Sequence, residues 1–392
     1  MRLNHGLHLA YCTNIHRGED WPQTFESLKT SVLAVRERVC PDKPYAIGLR
    51  LSEQASRELL APGELDAFRS WLDEKNCYVF TINGFPYGQF HNTRVKEQVY
   101  APDWRAQERL DYTNRLFDIV AELVPEGVDG SVSTLPGSFK EFISDDSELE
   151  PIYENLWKCA DHIDSLSQNT GKQLHLGLEP EPLGLFENSE ETIRFFEQAN
   201  KRRAGDDRFN RCIGVNYDTC HLAVEYESAR EAIGSLHAAN IFISKLHLSS
   251  ALKVTPSPAT LAELEAFGDD VYLHQVIARQ ADGTLHRAKD LDLALAVDSP
   301  CRASDVEEWR IHFHIPLHSP ATDLFDNTSD HLIEVMDLLK ADPALCTHLE
   351  METYTWEVMP EEMKKRDVVE QLVGEYHWTL KELRERGFEP AD

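Results

Sequence analysis

Two short apolar runs constrain this chain more than any other feature. Leu174-His175-Leu176-Gly177-Leu178 ends in Glu179-Pro180-Glu181-Pro182. Cys212-Ile213-Gly214-Val215-Asn216-Tyr217 ends in Asp218-Thr219-Cys220-His221. Runs this short and this apolar fit strands buried on both faces, as in parallel sheets. Each spills carboxylate and imidazole groups at its C-terminal end, where an α/β barrel gathers its chemistry. The expectation is a barrel mouth that holds a divalent metal ion.

The rest of the 392 residues supplies the other barrel units. Strand-like runs at 7–11, 46–51, 78–82, 128–134, 174–178, 212–217, 241–248 and 347–353 alternate with helical patterns. The helical stretches are 21–39, 64–75 behind the Pro62-Gly63 break, 105–124, 149–168, one opening at Ser189 as N-cap, one opening at Ser228 and running to 238, 329–339 and 360–386. Ser228 and Glu231 have capping-box spacing. The alternation is interrupted after the seventh strand. There 271–280 and 284–295 flank Ala281-Asp282-Gly283, a hairpin signature, and 309–318 follows. The count is that of a (β/α)8 TIM barrel with a β-hairpin inserted in the loop after strand seven. The chain reads as one unit, 1–392, with an insertion at about 252–318. The Gly/Pro/aromatic loop 83–88 is suited to covering a pocket.

Charge narrows the partners. The formal net charge is −29 and no Lys/Arg block occurs, so phosphate backbones and anionic lipid surfaces are repelled. A small molecule is the expected partner, with no nucleic acid and no membrane insertion. No window approaches ~18 unbroken apolar residues, and no apolar segment follows the N-terminal Met1-Arg2-Leu3-Asn4-His5. The eight cysteines are scattered without a Cys-x-x-Cys pair and read as reduced thiols of a cytoplasmic protein. The sequence is compatible with an oligomer. It contains no P-loop, Gly-x-Ser-x-Gly or Gly-x-Gly-x-x-Gly, which removes local support for nucleotide enzymes and serine hydrolases.

The polar groups expected at the strand ends are Glu179, Glu181, Asp218, His221, His247, Glu350 and Glu352, and the insertion adds His312 and His314. A carboxylate and imidazole set without thiolate suits Mn2+, Zn2+, Co2+ or Fe2+ better than Ca2+. Residues i and i+2 of a strand share a face, so Glu179/Glu181, Glu350/Glu352 and His312/His314 should point together. Two such carboxylate pairs repel each other strongly unless cations or protons compensate. Several residues have two readings. His221 is a ligand or a helix cap. His312 and His314, alternating with Ile311, Phe313 and Ile315, line the pocket or form an edge strand with its polar face in water. His8 is core or pocket floor. His274 and His286 read as surface groups, and Arg310 and Lys245 as anion binders.

Asp218-Thr219-Cys220-His221 resembles the Asp-Thr-x-His signature of the xylose-isomerase-like TIM barrels, which include sugar isomerases, ketose 3-epimerases and endonuclease IV-type repair enzymes. Glu181-Pro182-Leu183-Gly184-Leu185-Phe186-Glu187 resembles the Glu-x5-Glu pattern of the epimerases, His247 the strand-seven histidine and Glu352-Thr353-Tyr354 the last-strand glutamate. The resemblance implies one metal held by Glu181, Asp218, His247 and Glu352, with Glu179 and Glu350 as second choices. It also implies a substrate contact from Glu187 and places His221 near the substrate. The segments 11–21, 178–182, 310–316 and 349–356 are similar to the EboE family, named as metabolite-traffic components of bacterial ebo clusters.

These residues lead to an expected activity. It is a metal-dependent isomerase or epimerase acting on a polyhydroxylated small molecule, by proton transfer next to a metal-chelated carbonyl. Glu181, Glu352 and His221 are the expected catalytic groups, and Glu187, His312, His314 and Arg310 the expected substrate contacts. One alternative is a carrier that binds a metabolite without converting it. The other is an endonuclease IV-like phosphodiesterase, against which stand the ends of strands two and three, Arg50-Leu51-Ser52 and Asn83-Gly84-Phe85-Pro86, which lack histidine.

Overall fold

The computed structural model describes residues 1–85, 87, 96–267, 273–353 and 367–391. Among them are β1 (His8–Tyr11), β2 (Tyr45–Arg50), β3 (Cys77–Asn83), β4 (Gly130–Thr134), β5 (Leu174–Leu178), β6 (Ile213–Asp218), β7 (Ile243–Leu248), β8 (Ala251–Val254), β9 (Val276–Gln280), β10 (Leu285–Ala288), β11 (Val306–His314), β12 (Asp326–Asn327) and β13 (His348–Met351). Eight of them pair in parallel in the order β1-β13-β7-β6-β5-β4-β3-β2. A single parallel bridge between Cys12 and Gly48 joins the two outer strands and brings the sheet round into a barrel. This is the (β/α)8 fold expected from the strand and helix alternation.

Several helices begin where amphipathic spacing meets a capping side chain. Ser228 accepts from the Glu231 amide at the start of Ala229–Ala238. The helix Ser189–Arg202 corrects the expected cap. Asn188 accepts from the Glu191 amide, and Ser189 is the first helical residue, its hydroxyl donating to Glu227. The closing helix is described as Val368–Glu385, and the expected start at 360 lies outside the described residues.

The insertion is larger than a hairpin. β8 to β12 form a five-stranded antiparallel sheet in the order β10-β9-β11-β8-β12, with its own apolar core around Leu252, Val254, Trp309, Ile311 and Phe313. The Ala281-Asp282-Gly283 turn is present, with Gly283 at φ 89°. The arms are shorter than expected, and 271–272 lie outside the described residues. Residues Leu291–Leu295 form a helix because Asp290 caps it. β11 lies at the centre of this sheet, so His312 and His314 are buried and no edge strand is formed by them. His274 is also buried, against the reading as a surface group. Its Nδ1 lies 2.9 Å from the His312 carbonyl and its ring packs on Phe313.

All eight cysteines are free and buried. No described helix is long and apolar enough to cross a membrane. The barrel interior departs from the usual layers of branched aliphatics. His8 bonds Tyr78, His348 bonds Ser131, and Lys245 donates to Ser133 and Glu350, all buried. His8 is thus barrel interior, and Lys245 is occupied as a counter-charge, which corrects its reading as an anion binder.

Candidate metal centre

Four strand ends converge. Glu179 follows β5, Asp218 ends β6, His247 lies in β7, and Glu352 follows β13. Register places His247 beside both Asp218 and Glu350. One ligand atom from each of Glu179, Asp218, His247 and Glu352 falls within 4.8 Å of all the others, and all four residues are buried. His247 Nδ1 lies 3.0 Å from Glu179 Oε1, 3.2 Å from Glu352 Oε2 and 3.5 Å from Asp218 Oδ2.

Each side chain is held from behind. Asp218 Oδ1 accepts from the amides of Cys220 (2.7 Å) and His221 (3.1 Å), capping the short helix Thr219–Val224, and from Ser249 Oγ at 2.6 Å. Its Oδ2 is buried with no hydrogen-bond partner. Glu352 Oε1 accepts from Asn14 Nδ2 at 2.8 Å and Asn83 Nδ2 at 3.3 Å, which turns Oε2 to His247. Glu350, one layer deeper, accepts from His247 Nε2 at 2.9 Å and from Lys245 Nζ at 2.6 Å. Its carboxyl is held near 2: burial would raise it, but Lys245 and His247 outweigh burial.

The electrostatics suit a bound cation. Burial would lift the Asp218 carboxyl, yet the imidazoles of His221, His314 and His247 hold it well below the ordinary range. Burial would lower His247, and the charges of Glu352 and Glu179 override it and raise it well above its usual value. A proton on Nδ1 therefore stands where a divalent ion would satisfy the same three carboxylates. The buried orphan Oδ2 of Asp218 fits the same requirement.

Glu179 occupies the place in this group where the motif spacing had put Glu181. β5 ends at Leu178, so the two-residue parity of a strand does not extend through Pro180. Glu181 instead lines the adjoining cavity with Oε1 unpartnered, and burial together with the Glu179 charge raises its carboxyl well above normal. Glu350 shares its face with Glu352, as the parity predicts, but is spent on Lys245 and His247. Glu187 is not among the cavity-lining residues. Its carboxylate binds Lys140 at 2.5 Å, the Leu183 amide at 2.8 Å and Gln275 at 2.9 Å. Arg310 is likewise elsewhere, bonded to Glu308 and the Ala223 carbonyl over the Tyr226 ring. Asn14, Asn83 and Ser249 were missed. The signal for the first two was their position after strands one and three.

A second cluster adjoins the first. Asp218, His221 and His314 also offer ligand atoms within 4.8 Å of one another. His221 Nδ1 lies 3.1 Å from the Pro180 carbonyl, and His314 Nδ1 3.2 Å from the Glu352 carbonyl. A carbonyl only accepts, so both Nδ1 atoms carry a proton and each ring turns its Nε2 towards the other. These Nε2 atoms face each other at 3.2 Å, with Asp218 Oδ2 4.0 Å from that of His221. Two imidazole nitrogens and a carboxylate oxygen meet here, a donor set that could hold a cation. His312 lines the cavity beside them with its Nε2 unpartnered, and burial with the neighbouring His221 and His314 keeps the ring neutral.

A cavity adjoins the tetrad at Glu179 and Glu352. Glu179, Glu181, His221, His312 and Glu352 line its polar side, with Asn14 and Asn83.

No family model and no curated protein sequence matches this chain. Solved structures do. A zinc-bound IolI protein superposes with a TM-score of 0.51 at 13% identity, covering 97% of this chain and 99% of that one. An L-ribulose 3-epimerase superposes with a TM-score of 0.51 at 12% identity, covering 99% and 96%. At such identities the likeness is one of fold: this chain shares the (β/α)8 architecture of those two proteins.

Proposed function

We propose that the protein is a metal-dependent isomerase or epimerase that moves a proton at a carbon next to a carbonyl. The observation that carries this is the buried tetrad of Glu179, Asp218, His247 and Glu352, opening on a cavity with a separate, neutral carboxyl at Glu181. Those four residues would hold the ion. A bound divalent metal polarises a carbonyl oxygen and stabilises the negative charge that grows there as the neighbouring carbon loses its proton. Glu352, steadied by Asn14 and Asn83, accepts that proton. Glu181, kept in its acid form by burial, returns one to the carbon, and solvent resets the pair. His221 and His312 bind hydroxyl groups of the substrate. The zinc of the IolI protein and the substrate class of the epimerase are consistent with this reading. Placement in an ebo-type metabolite-traffic pathway rests on the motif resemblance alone.

The test is NMR of ketoses in D2O with the protein loaded with Mn2+ or Zn2+. Deuterium entering the carbon beside the carbonyl supports the proposal. Saturable binding without exchange would make the protein a carrier.

A second reading, hydrolysis of a phosphate ester on two metal ions, is favoured by the second group of possible ligands, Asp218, His221 and His314. Cleavage of bis(p-nitrophenyl) phosphate by the metal-loaded protein would establish it in place of the first.

A further inference from the structure

The apolar lining of the cavity is formed by Phe85, Val99, Tyr100, Pro182, Leu183 and Leu273. A binding site for a bare sugar needs polar partners on every side, because each buried hydroxyl left unpaired costs free energy. Among the described residues this wall offers few. The Tyr100 hydroxyl is engaged by the Pro182 carbonyl at 3.1 Å and by Glu181, and its ring stands edge-on to Phe85 at 5.6 Å.

Leu183 adds a sharper point. Its φ is 68°, a left-handed conformation that costs a side-chain-bearing residue about 1–2 kcal/mol. Glycine would adopt it without that cost. The conformation is held by the Leu183 amide donating to Glu187 Oε2 at 2.8 Å and the Leu183 carbonyl accepting from the Lys140 amide at 2.9 Å. Backbone strain retained at a pocket wall marks a side chain whose position matters. Here that side chain is a plain hydrocarbon.

Charge supplies the third argument. Three carboxyl groups, Glu179, Glu181 and Glu352, line the cavity. The one lysine or arginine among its described lining residues, Lys96, is bound to Asp290 at 2.6 Å with both side chains largely buried. Among the described residues, a phosphate group would meet carboxylates and no unengaged guanidinium or ammonium there.

We infer that the ligand of this cavity is an unphosphorylated hydroxy-carbonyl compound bearing an apolar arm, alkyl or aryl, that lies against Leu183 and Tyr100. This rests on the reading of the tetrad as a metal centre for a hydroxy-carbonyl group, and it narrows the substrate class from sugars to amphipathic ketols. The wall contributes by burying hydrocarbon, and the tetrad by chelating oxygen.

Calorimetric titration of the Zn2+-loaded full-length protein tests this with three probes: fructose, fructose 6-phosphate and 1-hydroxy-1-phenylpropan-2-one. The aryl ketol should bind about tenfold or more tighter than fructose, and the phosphate ester more weakly than fructose. Leu183→Gly, which removes the side chain and the strain together, should lower aryl ketol affinity about tenfold while leaving fructose affinity and zinc content unchanged. Equal affinity for fructose and the ketol, tighter binding of the phosphate ester, or no binding of any probe overturns the inference. The isomerase reading fails separately. Ketol binding that depends on Leu183 without deuterium exchange keeps the inference and removes the reaction.

Discussion

Glu350 Oε2 accepts a hydrogen bond from His247 Nε2 at 2.9 Å, one layer beneath the barrel mouth. The contact fixes which nitrogen of His247 faces the three carboxylates above it. A carboxylate behind a ligating histidine sets its tautomer and raises its basicity, and its loss costs about 10–100-fold in metal affinity. Glu350→Gln should show a drop of that size in chelator competition. Lys245 would also lose its buried counter-charge, lowering stability by about 3–5 kcal/mol in denaturant unfolding. Unchanged metal affinity in this variant would show that His247 is not a ligand.

Glu181 and Glu179 should separate in their effects. Glu181→Gln keeps the size and neutrality of the acid but cannot exchange a proton. It should retain metal and lose deuterium exchange by about 10²–10⁴-fold, read by NMR against wild type. Metal loss in this variant would return Glu181 to the ligand set that its spacing from Glu187 suggests.

Gly48 leaves room for Glu350. A Cβ there would overlap Glu350 Oε1 and lie 2.6 Å from the Tyr11 carbonyl. Gly48→Ala should destabilise the protein by about 1–3 kcal/mol, measured by chemical unfolding, and weaken metal binding through the displaced Glu350. A variant as stable as wild type would mean the interior layer is looser than its packing implies.

Glu375 in the closing helix accepts from Thr353 Oγ1 at 2.7 Å and the Leu317 amide at 3.1 Å, and its Oε2 has no partner. Burial raises its carboxyl from 4.5 to about 7, polar contacts from Thr353, Leu317 and Gln371 offsetting only part of the effect. A raised acid favours folding while protonated. Its contribution is complete below about 4.5 and is lost as pH climbs through 7, roughly 3 kcal/mol in all. Glu375→Gln should therefore gain stability relative to wild type between pH 5 and pH 8, seen in paired melting curves. A constant difference across that range would contradict the buried neutral acid.

Much of this architecture is legible in the residue pattern, and its gaps have physical causes. Leu174–Leu178 is bounded as read because a doubly buried strand must be apolar and Glu179-Pro180 ends it. Parity along β13 stacks Glu350 and Glu352 on one face. The same parity misleads beyond β5, where the strand has ended before Glu181. The insertion resists reading because its five strands pair out of chain order, so a local hairpin signal says nothing of β11 lying at the centre. That placement buries His312, His314 and His274, which alternation alone leaves as half-exposed. Asn14 and Asn83 went unread because amides carry no metal-ligand signal of their own. Their role appears only once Glu352 is seen between them.

Metal content of the purified protein tests the central claim most directly. After incubation with Zn2+ and desalting, elemental analysis should find at least one ion per wild-type chain, with the tetrad site lost in Glu179→Gln and in Asp218→Asn and kept in Glu181→Gln. Chelation should lower the wild-type melting temperature and added Zn2+ restore it, since an ion bound only by the folded state stabilises it. A wild-type protein that takes up no ion and melts identically with and without chelator would contradict the account.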